Sequence, residues 1–313
     1  MGELRKDYIL GRYVIISDTR KYRPYDFEKA GAKKDKQSGA FCNFCPANQE
    51  LVLSEILRTK QDGNWFIRVI SNKYPVIELK GTVKLETQNK FYTSSNNYGV
   101  NEVIIETNNH AEQIYDLSKE QLFQLLLVYK ERIANAMKNK AIQYAQIIKN
   151  HGRDAGASIE HSHSQLFAYN IIPTVIQQKE MACKKSCLYC KLIKNEINSP
   201  RFCFENNSFI AFAPYASRFA YELILFSKQH KLSLLDFNRE ELTDLAEILQ
   251  KILQKLKQLN ADFNFFFQNG IKNMHFHMEF TPRINIYAGF EIATDTFVNT
   301  IYPEDAAKWW REE

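Results

Sequence analysis

The sequence predicts an α+β fold made of two tandem units, residues 1–175 and 180–313, each an antiparallel sheet with one main helix packed on it. One order of motifs occurs twice: a C-x-x-C pair, an apolar strand-like run, a histidine, an amphipathic helix, a second strand-like run and an H-x-H sequence. The strand-like runs follow one another without helical crossovers, which indicates antiparallel pairing. The one long helix of each unit would then cover one face of its sheet.

The composition narrows the class of protein. The 313 residues suffice for two domains, and a hydrophobic content of 45 % suffices for a core in each. No apolar run approaches the roughly 20 residues of a transmembrane helix, and the opening MGELRKDYIL is unlike a signal peptide. We therefore expect a cytoplasmic protein without a membrane partner. The net charge of +5 is dispersed among acidic residues, which disfavours nucleic acid and suits small anionic ligands.

Both helices of the repeat begin with the same signal. A capping-box pair, Ser118 with Gln121 in the first unit and Asn238 with Glu241 in the second, stands at the same place in each. Apolar residues then recur at helical spacing along one stripe in both units. Each stripe is expected to pack on the sheet of its own unit.

Four of the six cysteines form two C-x-x-C pairs, and histidines recur at matching places in both units. Zinc binds four nitrogen or sulfur ligands in a tetrahedron, so the repeat predicts two structural zinc ions per chain. The expected ligands are Cys42, Cys45, His110 and His161 in the first unit and Cys187, Cys190, His230 and His275 in the second. A redox dithiol is the alternative, but recurrence of the same four ligand types in one order favours metal. Cys183 and Cys203 have no counterparts and no assigned role.

The H-x-H sequence of the first unit is a candidate reactive site. Alternation along a strand would place His161, His163 and Gln165 on one face. The preceding residues 150–158 are glycine-rich and polar, so their backbone N–H groups would suit a phosphate. A neutral imidazole attacks phosphorus readily, and the phosphoramidate formed passes the group on. From these residues alone, His163 is either that nucleophile or an ordinary polar residue of a strand.

The run from Asn150 to Gln165, NHGRDAGASIEHSHSQ, resembles the active-site motif of the galactose-1-phosphate uridylyltransferase family, a branch of the histidine-triad superfamily. Three further motifs are similar to those of the family: R-x-x-R-P at residues 20–24, N-K-Y-P at residues 72–75 and G-F-E at residues 289–291. The resemblance therefore covers essentially the whole chain. It implies two histidine-triad-like units.

The resemblance also implies an activity. A nucleoside monophosphate would move between a nucleotide sugar and a hexose 1-phosphate through a nucleotidyl-histidine, as in the uridylyl transfer of galactose metabolism. Carried over by position, His163 is the nucleophile and Gln165 binds a phosphoryl oxygen. The implied substrate-binding residues are Arg20, Arg23, Asn72, Asn150, Gly156, Ser158 and Glu291. Members of the family are commonly dimers, which makes a homodimer a hypothesis for this chain.

Two features depart from the galactose-specific pattern. Phe297 stands six residues after Glu291, where galactose-specific members have a glutamine. The second C-x-x-C with its histidines, and the ending that follows G-F-E, are more similar to the ADP-glucose phosphorylase subgroup. Its donor is an adenine nucleotide sugar and its acceptor is phosphate, so two substrate pairs stay open. A non-enzymatic zinc protein that binds nucleic acid is the remote alternative, disfavoured by the acidic Asp154 and Glu160 beside the H-x-H sequence.

Overall fold

The fold is described by a computed structural model. The described residues are 3–7, 9–11, 13–16, 42–51, 54–61, 64–84, 86–87 and 91–312. Two expected substrate-binding residues, Arg20 and Arg23, lie outside them. The strands in the described part are β1 (Glu3–Lys6), β2 (Tyr13–Ile16), β3 (Glu55–Gln61), β4 (Asn64–Ser71), β5 (Glu86–Thr87), β6 (Thr93–Ser94), β7 (Gly99–Ile105), β8 (Tyr144–His151), β9 (His163–Tyr169), β10 (Phe202–Glu205), β11 (Phe209–Phe212), β12 (Leu223–Ser227), β13 (Phe263–Gln268), β14 (His277–Pro282) and β15 (Phe297–Asn299). The α-helices there are α1 (Lys119–Met137), α2 (Thr174–Ala182), α3 (Leu188–Glu196), α4 (Arg239–Leu259), α5 (Gly289–Thr294) and α6 (Pro303–Arg311).

Ten strands form one antiparallel sheet in the order β10-β11-β12-β14-β13-β8-β9-β7-β4-β3. The order divides into two five-stranded halves, one from each repeat, in which corresponding strands occupy mirrored places. The halves meet where β13 pairs with β8, with Phe263 opposite His151 and Phe266 opposite Ile148. The expected antiparallel α+β fold with one long helix per unit is confirmed. The structure adds that the two sheets are continuous.

The two long helices, α1 and α4, lie side by side and share one hydrophobic core with strands of both halves. Their predicted starts are confirmed. Ser118 Oγ accepts the Gln121 N–H at 3.2 Å, and the Ser118 N–H donates to Gln121 Oε1 at 2.9 Å. Asn238 and Glu241 exchange the equivalent bonds at 2.9 and 2.8 Å. These reciprocal bonds satisfy backbone donors that the first helical turn leaves free.

Helices and strands outside the large sheet connect the two halves. The segment between the repeats is helical, because α2 follows directly after Pro173 and α3 follows Cys187. A small sheet joins the ends of the chain, with β2 paired antiparallel to β1 and parallel to β15. Within the described ranges, none of the helices has both the length and the apolar character that a membrane crossing requires.

Candidate active site and metal clusters

The expected first metal site is a compact cluster of four side chains. One ligand atom each from Cys42, Cys45, His110 and His161 lies within 4.8 Å of all the others. The Sγ of Cys45 is 3.4 Å from His110 Nδ1, and the Sγ of Cys42 is 3.6 Å from His161 Nδ1. The Nε2–H of His161 donates to the Thr107 carbonyl oxygen at 2.8 Å, which directs Nδ1 to the thiols. Burial lowers the pKa of His161 to about 4, so this Nδ1 lone pair is available to a metal.

A tight turn places the two cysteines of this cluster. The Cys45 N–H donates to the Cys42 carbonyl oxygen at 3.2 Å, and a 3₁₀-helix, Pro46–Leu51, follows at once. Both cysteines are buried in an apolar cluster with Ile105 and Val103, which are consecutive inward residues of β7. The two thiols, the two imidazoles and the Thr107 carbonyl that orients one of those imidazoles therefore fit a metal ion.

The second cluster repeats this geometry on other elements. Its members are Cys187, Cys190, His230 and His275, whose ligand atoms also lie within 4.8 Å of one another. The Sγ of Cys190 is 3.2 Å from His230 Nδ1 and 3.4 Å from His275 Nδ1. The Nε2–H of His275 donates to the Ser227 carbonyl oxygen at 2.8 Å, as His161 does to Thr107. Here the C-x-x-C pair opens α3 rather than a 3₁₀-helix.

His163 is the first residue of β9 and only 6 % exposed. Its Nδ1–H donates to the His161 carbonyl oxygen at 2.8 Å, so Nε2 carries the lone pair. The Phe44 ring, from the turn between the cysteines, meets the imidazole edge to face with centroids 5.4 Å apart. Burial, and next the positive charge of Lys149, lower the pKa of His163. The imidazole is therefore neutral and oriented near neutral pH.

The polar approach segment lies beside this strand. Gly156 has a φ of +84°, a left-handed conformation that favours glycine, and a Cβ added there would lie 4.0 Å from Asn150 Nδ2. The other end of that carboxamide is held, because Asn264 Nδ2 donates to Asn150 Oδ1 at 2.8 Å. Ser158 is exposed and Gln165 half-buried. The Asn150 N–H₂ group is thus turned toward the glycine-rich turn.

Two other expected substrate-binding residues have structural contacts. The carboxamide of Asn72 donates from Nδ2 to Asn101 Oδ1 at 3.0 Å and accepts the Tyr74 N–H at 2.9 Å. It also lines a cavity of about 430 Å³. Glu291 is in the first turn of α5, where its carboxylate accepts the Ala288 N–H at 3.0 Å. These contacts brace a loop and a helix start, and substrate roles for both residues stay predictions.

The second H-x-H sequence has the same backbone geometry but a different neighbour. The Nδ1–H of His277 donates to the His275 carbonyl oxygen at 2.9 Å. Its Nε2 lies 3.3 Å from Lys179 Nζ and 3.4 Å from Glu279 Oε1, so the ammonium group engages the lone pair. Burial raises the pKa of Glu279, but Lys179 and Arg218 together hold that pKa well below its usual range. An ion-pair cluster thus lies against Nε2 of His277, the atom that corresponds to Nε2 of His163.

Sequence reasoning missed Phe44 and Thr107, which contact histidines of the first H-x-H sequence: Phe44 both His161 and His163, and Thr107 only His161. The only local signal for Phe44 was its place inside the C-N-F-C turn. Thr107 acts through its backbone carbonyl, which any residue carries. Nothing in the sequence pattern could therefore have singled it out.

The fold and the two clusters define a duplicated Cys/His protein with a buried, oriented histidine at the start of a sheet strand. A model of the galactose-1-phosphate uridyl transferase N-terminal domain matches residues 2–173, and one of the C-terminal domain matches residues 174–292. The chain belongs to the galactose-1-phosphate uridyl transferase family. The expected enzyme class, a nucleotidyltransferase, is therefore confirmed.

The individual relatives include an ADP-glucose phosphorylase and a galactose-1-phosphate uridylyltransferase. The chain is 31 % identical to an ADP-glucose phosphorylase of Arabidopsis thaliana, over 99 % of this chain and 92 % of the relative. It is 26 % identical to the galactose-1-phosphate uridylyltransferase of Thermotoga maritima, over 100 % and 98 %. A crystal structure of an Arabidopsis thaliana ADP-glucose phosphorylase with bound ADP-glucose matches with a TM-score of 0.84 at 29 % identity, covering 100 % of this chain and 99 % of that one.

Proposed function

We propose that this protein transfers a nucleoside monophosphate between a nucleotide sugar and a hexose 1-phosphate through a covalent intermediate on His163. One observation carries the proposal: the Nδ1–H of His163 is bound to the His161 carbonyl oxygen, which leaves Nε2 unprotonated. A nucleophile must present such a lone pair, and its neighbours must fix the tautomer. The reaction class follows from the family to which the chain belongs.

Two steps with balanced bonds describe the reaction. The His163 Nε2 lone pair attacks the α-phosphorus, a P–N bond forms, and the P–O bond to the sugar 1-phosphate breaks. The sugar 1-phosphate departs with that electron pair. In the second step a phosphate oxygen of the acceptor attacks the same phosphorus, and the P–N bond breaks to return neutral His163. The amides of Asn150 and Gln165 would donate to the phosphoryl oxygens as negative charge moves onto them.

A second candidate uses the same chemistry with ADP-glucose as donor and phosphate as acceptor. Two observations favour it. The first is that the phenyl side chain of Phe297 cannot hydrogen-bond a sugar hydroxyl, whereas the glutamine of galactose-specific members could. The second is that a plant ADP-glucose phosphorylase is among the relatives that match nearly the whole chain. Phosphate is smaller than a sugar 1-phosphate, so this candidate requires less space and fewer contacts where the acceptor binds.

Labelling of the enzyme separates these candidates. The protein is incubated with UDP-glucose or ADP-glucose labelled at the α-phosphorus, and the adduct is mapped to a residue by its acid lability and by peptide mass. The proposal expects label on His163 from at least one donor. Label from UDP-glucose that is released by galactose 1-phosphate supports uridylyl transfer, and label from ADP-glucose that is released by phosphate supports the phosphorylase. Absence of label with both donors contradicts both.

We also propose that both clusters hold structural zinc, two ions per chain. The support is the matched set of two thiols and two imidazole Nδ1 atoms in each cluster, with backbone carbonyls holding the opposite ring nitrogens. Zinc there would link the C-x-x-C turn to the strand that carries His163. Cysteines that bind metal instead of forming disulfides are typical of a reducing compartment, so a cytoplasmic location is part of this proposal.

A homodimer is proposed for the same protein. The segment around α5 exposes several apolar side chains: Ile284 at 42 %, Ile286 at 87 %, Phe290 at 46 % and Ile292 at 78 %. Clustered apolar exposure of this kind marks interaction surfaces. Light scattering coupled to size exclusion should give the mass of two chains at micromolar concentration, and Ile286→Asp with Ile292→Asp should shift it to one. A wild-type monomer would contradict the proposal.

A further inference from the structure

A buried polar network lies on the helix side of the sheet, directly behind the H-x-H sequence of the first half. Lys149 is 1 % exposed and Glu106 is fully buried, and their charged groups are 2.5 Å apart. The same Glu106 oxygen accepts the Ser162 hydroxyl at 2.6 Å. The other oxygen accepts the Tyr129 hydroxyl at 3.2 Å, and Tyr129 bonds Ser164 at 2.7 Å. Every member is bonded, which is the condition for a buried charge pair to be tolerated.

Lys149 joins this network to the backbone of the nucleophile. Its ammonium group has three donors: one meets Glu106, one meets Ser162 Oγ at 2.9 Å, and one meets the His163 carbonyl oxygen at 2.9 Å. The registered pairs between β8 and β9 end with Lys149 opposite Ser164. The side chain of Lys149 therefore adds one more contact between β8 and β9 beyond the last paired residues, and this contact is to the carbonyl oxygen of His163.

The second half of the sheet has no such network, although its strands are in corresponding register. Lys149 opposite Ser164 in the first half corresponds to Phe267 opposite Met278 in the second. Ser162 likewise corresponds to Phe276 by its place within H-x-H. These counterparts are apolar and buried in the common core. The fold thus forms the same H-x-H strand without buried charges on the helix side of the sheet, so this network is not needed to build the strand.

We infer that Lys149 is a positioning residue for the His163 nucleophile. Its bond to the His163 carbonyl oxygen holds the peptide that follows the nucleophile's Cα, and the bond from the His163 ring to the His161 carbonyl oxygen holds the imidazole. Glu106 holds the ammonium group in place. In-line attack on phosphorus requires an orientation of Nε2 that small rotations of this peptide would destroy. The inference rests on the proposed function of His163.

The test compares three variants of the full-length protein. Lys149→Met removes the ammonium group and keeps the apolar stem, but leaves Glu106 as an unpaired buried carboxylate. Lys149→Met combined with Glu106→Gln removes both charges, so its stability should recover. Lys255→Met is the matched control, because Lys255 is also buried and donates to a backbone carbonyl, that of Glu312, at 2.8 Å.

We expect kcat to fall about tenfold or more in both Lys149 variants, with KM for the nucleotide sugar within about twofold. The control should keep the wild-type kcat. Hydrogen exchange of residues 161–165 should be faster in the double variant, a readout that needs no substrate. A double variant with wild-type kcat and exchange would overturn the inference while leaving the proposed function intact. A wild-type protein that never labels His163 would contradict the proposed function, and the exchange result alone would then judge the positioning.

Discussion

The imidazole of His163 is bonded at 2.8 Å to the backbone carbonyl of His161, the residue whose own ring faces the cysteine thiols. The proposed nucleophile and a proposed metal ligand are thus two residues apart in the chain and are joined by a hydrogen bond. The carbonyl oxygen of His161 sets the tautomer of His163. The side chain of His161 contacts the cysteines of the C-x-x-C turn and so connects that turn to the start of β9. Substitution of His163 should therefore affect the proposed reaction, and substitution of His161 should affect the proposed metal site.

Substitution of the nucleophile should remove activity without unfolding the protein. His163→Asn is expected to lower turnover more than about a thousandfold and to abolish nucleotidyl labelling, because no other imidazole presents a free Nε2 at this place. Zinc content and Tm should stay near wild type. Steady-state kinetics, labelling, elemental analysis and calorimetry measure these four quantities.

His277→Asn serves as the control for that substitution, since His277 opens the corresponding strand of the second half. Its Nε2 is engaged by Lys179, so we expect it to carry no nucleotidyl group. Acid-labile label on His277, or full activity of His163→Asn, would refute the assignment of the nucleophile.

Substitution of the neighbouring histidine should act through the metal. His161→Asn removes one of four ligands and the bond to the Thr107 carbonyl, so zinc should fall from two ions per chain toward one. Tm should fall with it, because a structural zinc contributes directly to the free energy of folding. Elemental analysis together with calorimetry tests this. Two zinc ions and an unchanged Tm in the variant would exclude His161 as a ligand.

The second cluster should bind its own ion independently. Cys190→Ser removes a thiol that lies 3.2 and 3.4 Å from the two histidines of that cluster, and we expect one zinc per chain and a lower Tm. The first cluster is built from other elements, so labelling of His163 should persist in the folded fraction. Loss of both ions together would show that the two sites are coupled, and an unchanged content would remove the second site.

Acid should destabilise the protein partly through His151. Burial, with a smaller effect of Lys149, lowers the pKa of this histidine from 6.5 to about 4. Its ring stacks on Phe263 with centroids 4.7 Å apart. Between pH 6.5 and pH 4 the unfolded chain binds more protons at this site, so the free energy of unfolding falls as the pH falls. His151→Gln should flatten the dependence of Tm on pH in that window. An identical slope in both proteins would contradict this account.

The local features of the sequence predicted much of what the structure contains. Capping boxes marked both long helices, because each box depends on residues three positions apart. The cluster ligands lie as far as 119 residues apart, and what marked them was the recurrence of the same ligand types in the same order in both repeats. The sequence predicted one strand between each C-x-x-C pair and the cluster histidine that follows it. The large sheet has three strands there, β3, β4 and β7 in the first half and β10, β11 and β12 in the second. Phe209–Phe212 is buried at every residue, so it lacks the alternation that identifies a strand with one solvated face.

Other features were beyond reach because they depend on contacts distant in sequence. The pairing of Phe263 with His151 joins the two repeats, and no local pattern specifies it. Lys149 is a lysine, a residue type that is seldom buried, and only the tertiary structure reveals its partner Glu106. The register also places Asn150 opposite Asn264, a contact that orients its carboxamide.

The continuous sheet has a consequence for how this chain could be cut or could fail to fold. β8 and β13 are interior strands only because each covers the other, and separation of the halves would expose two long rows of unpaired backbone donors and acceptors. Such open edges recruit strands from other molecules. A fragment holding only the first repeat would therefore aggregate or pair with a second copy of itself. During synthesis the same edge stays open until the second repeat emerges, which makes that interval the period of greatest risk for misassembly.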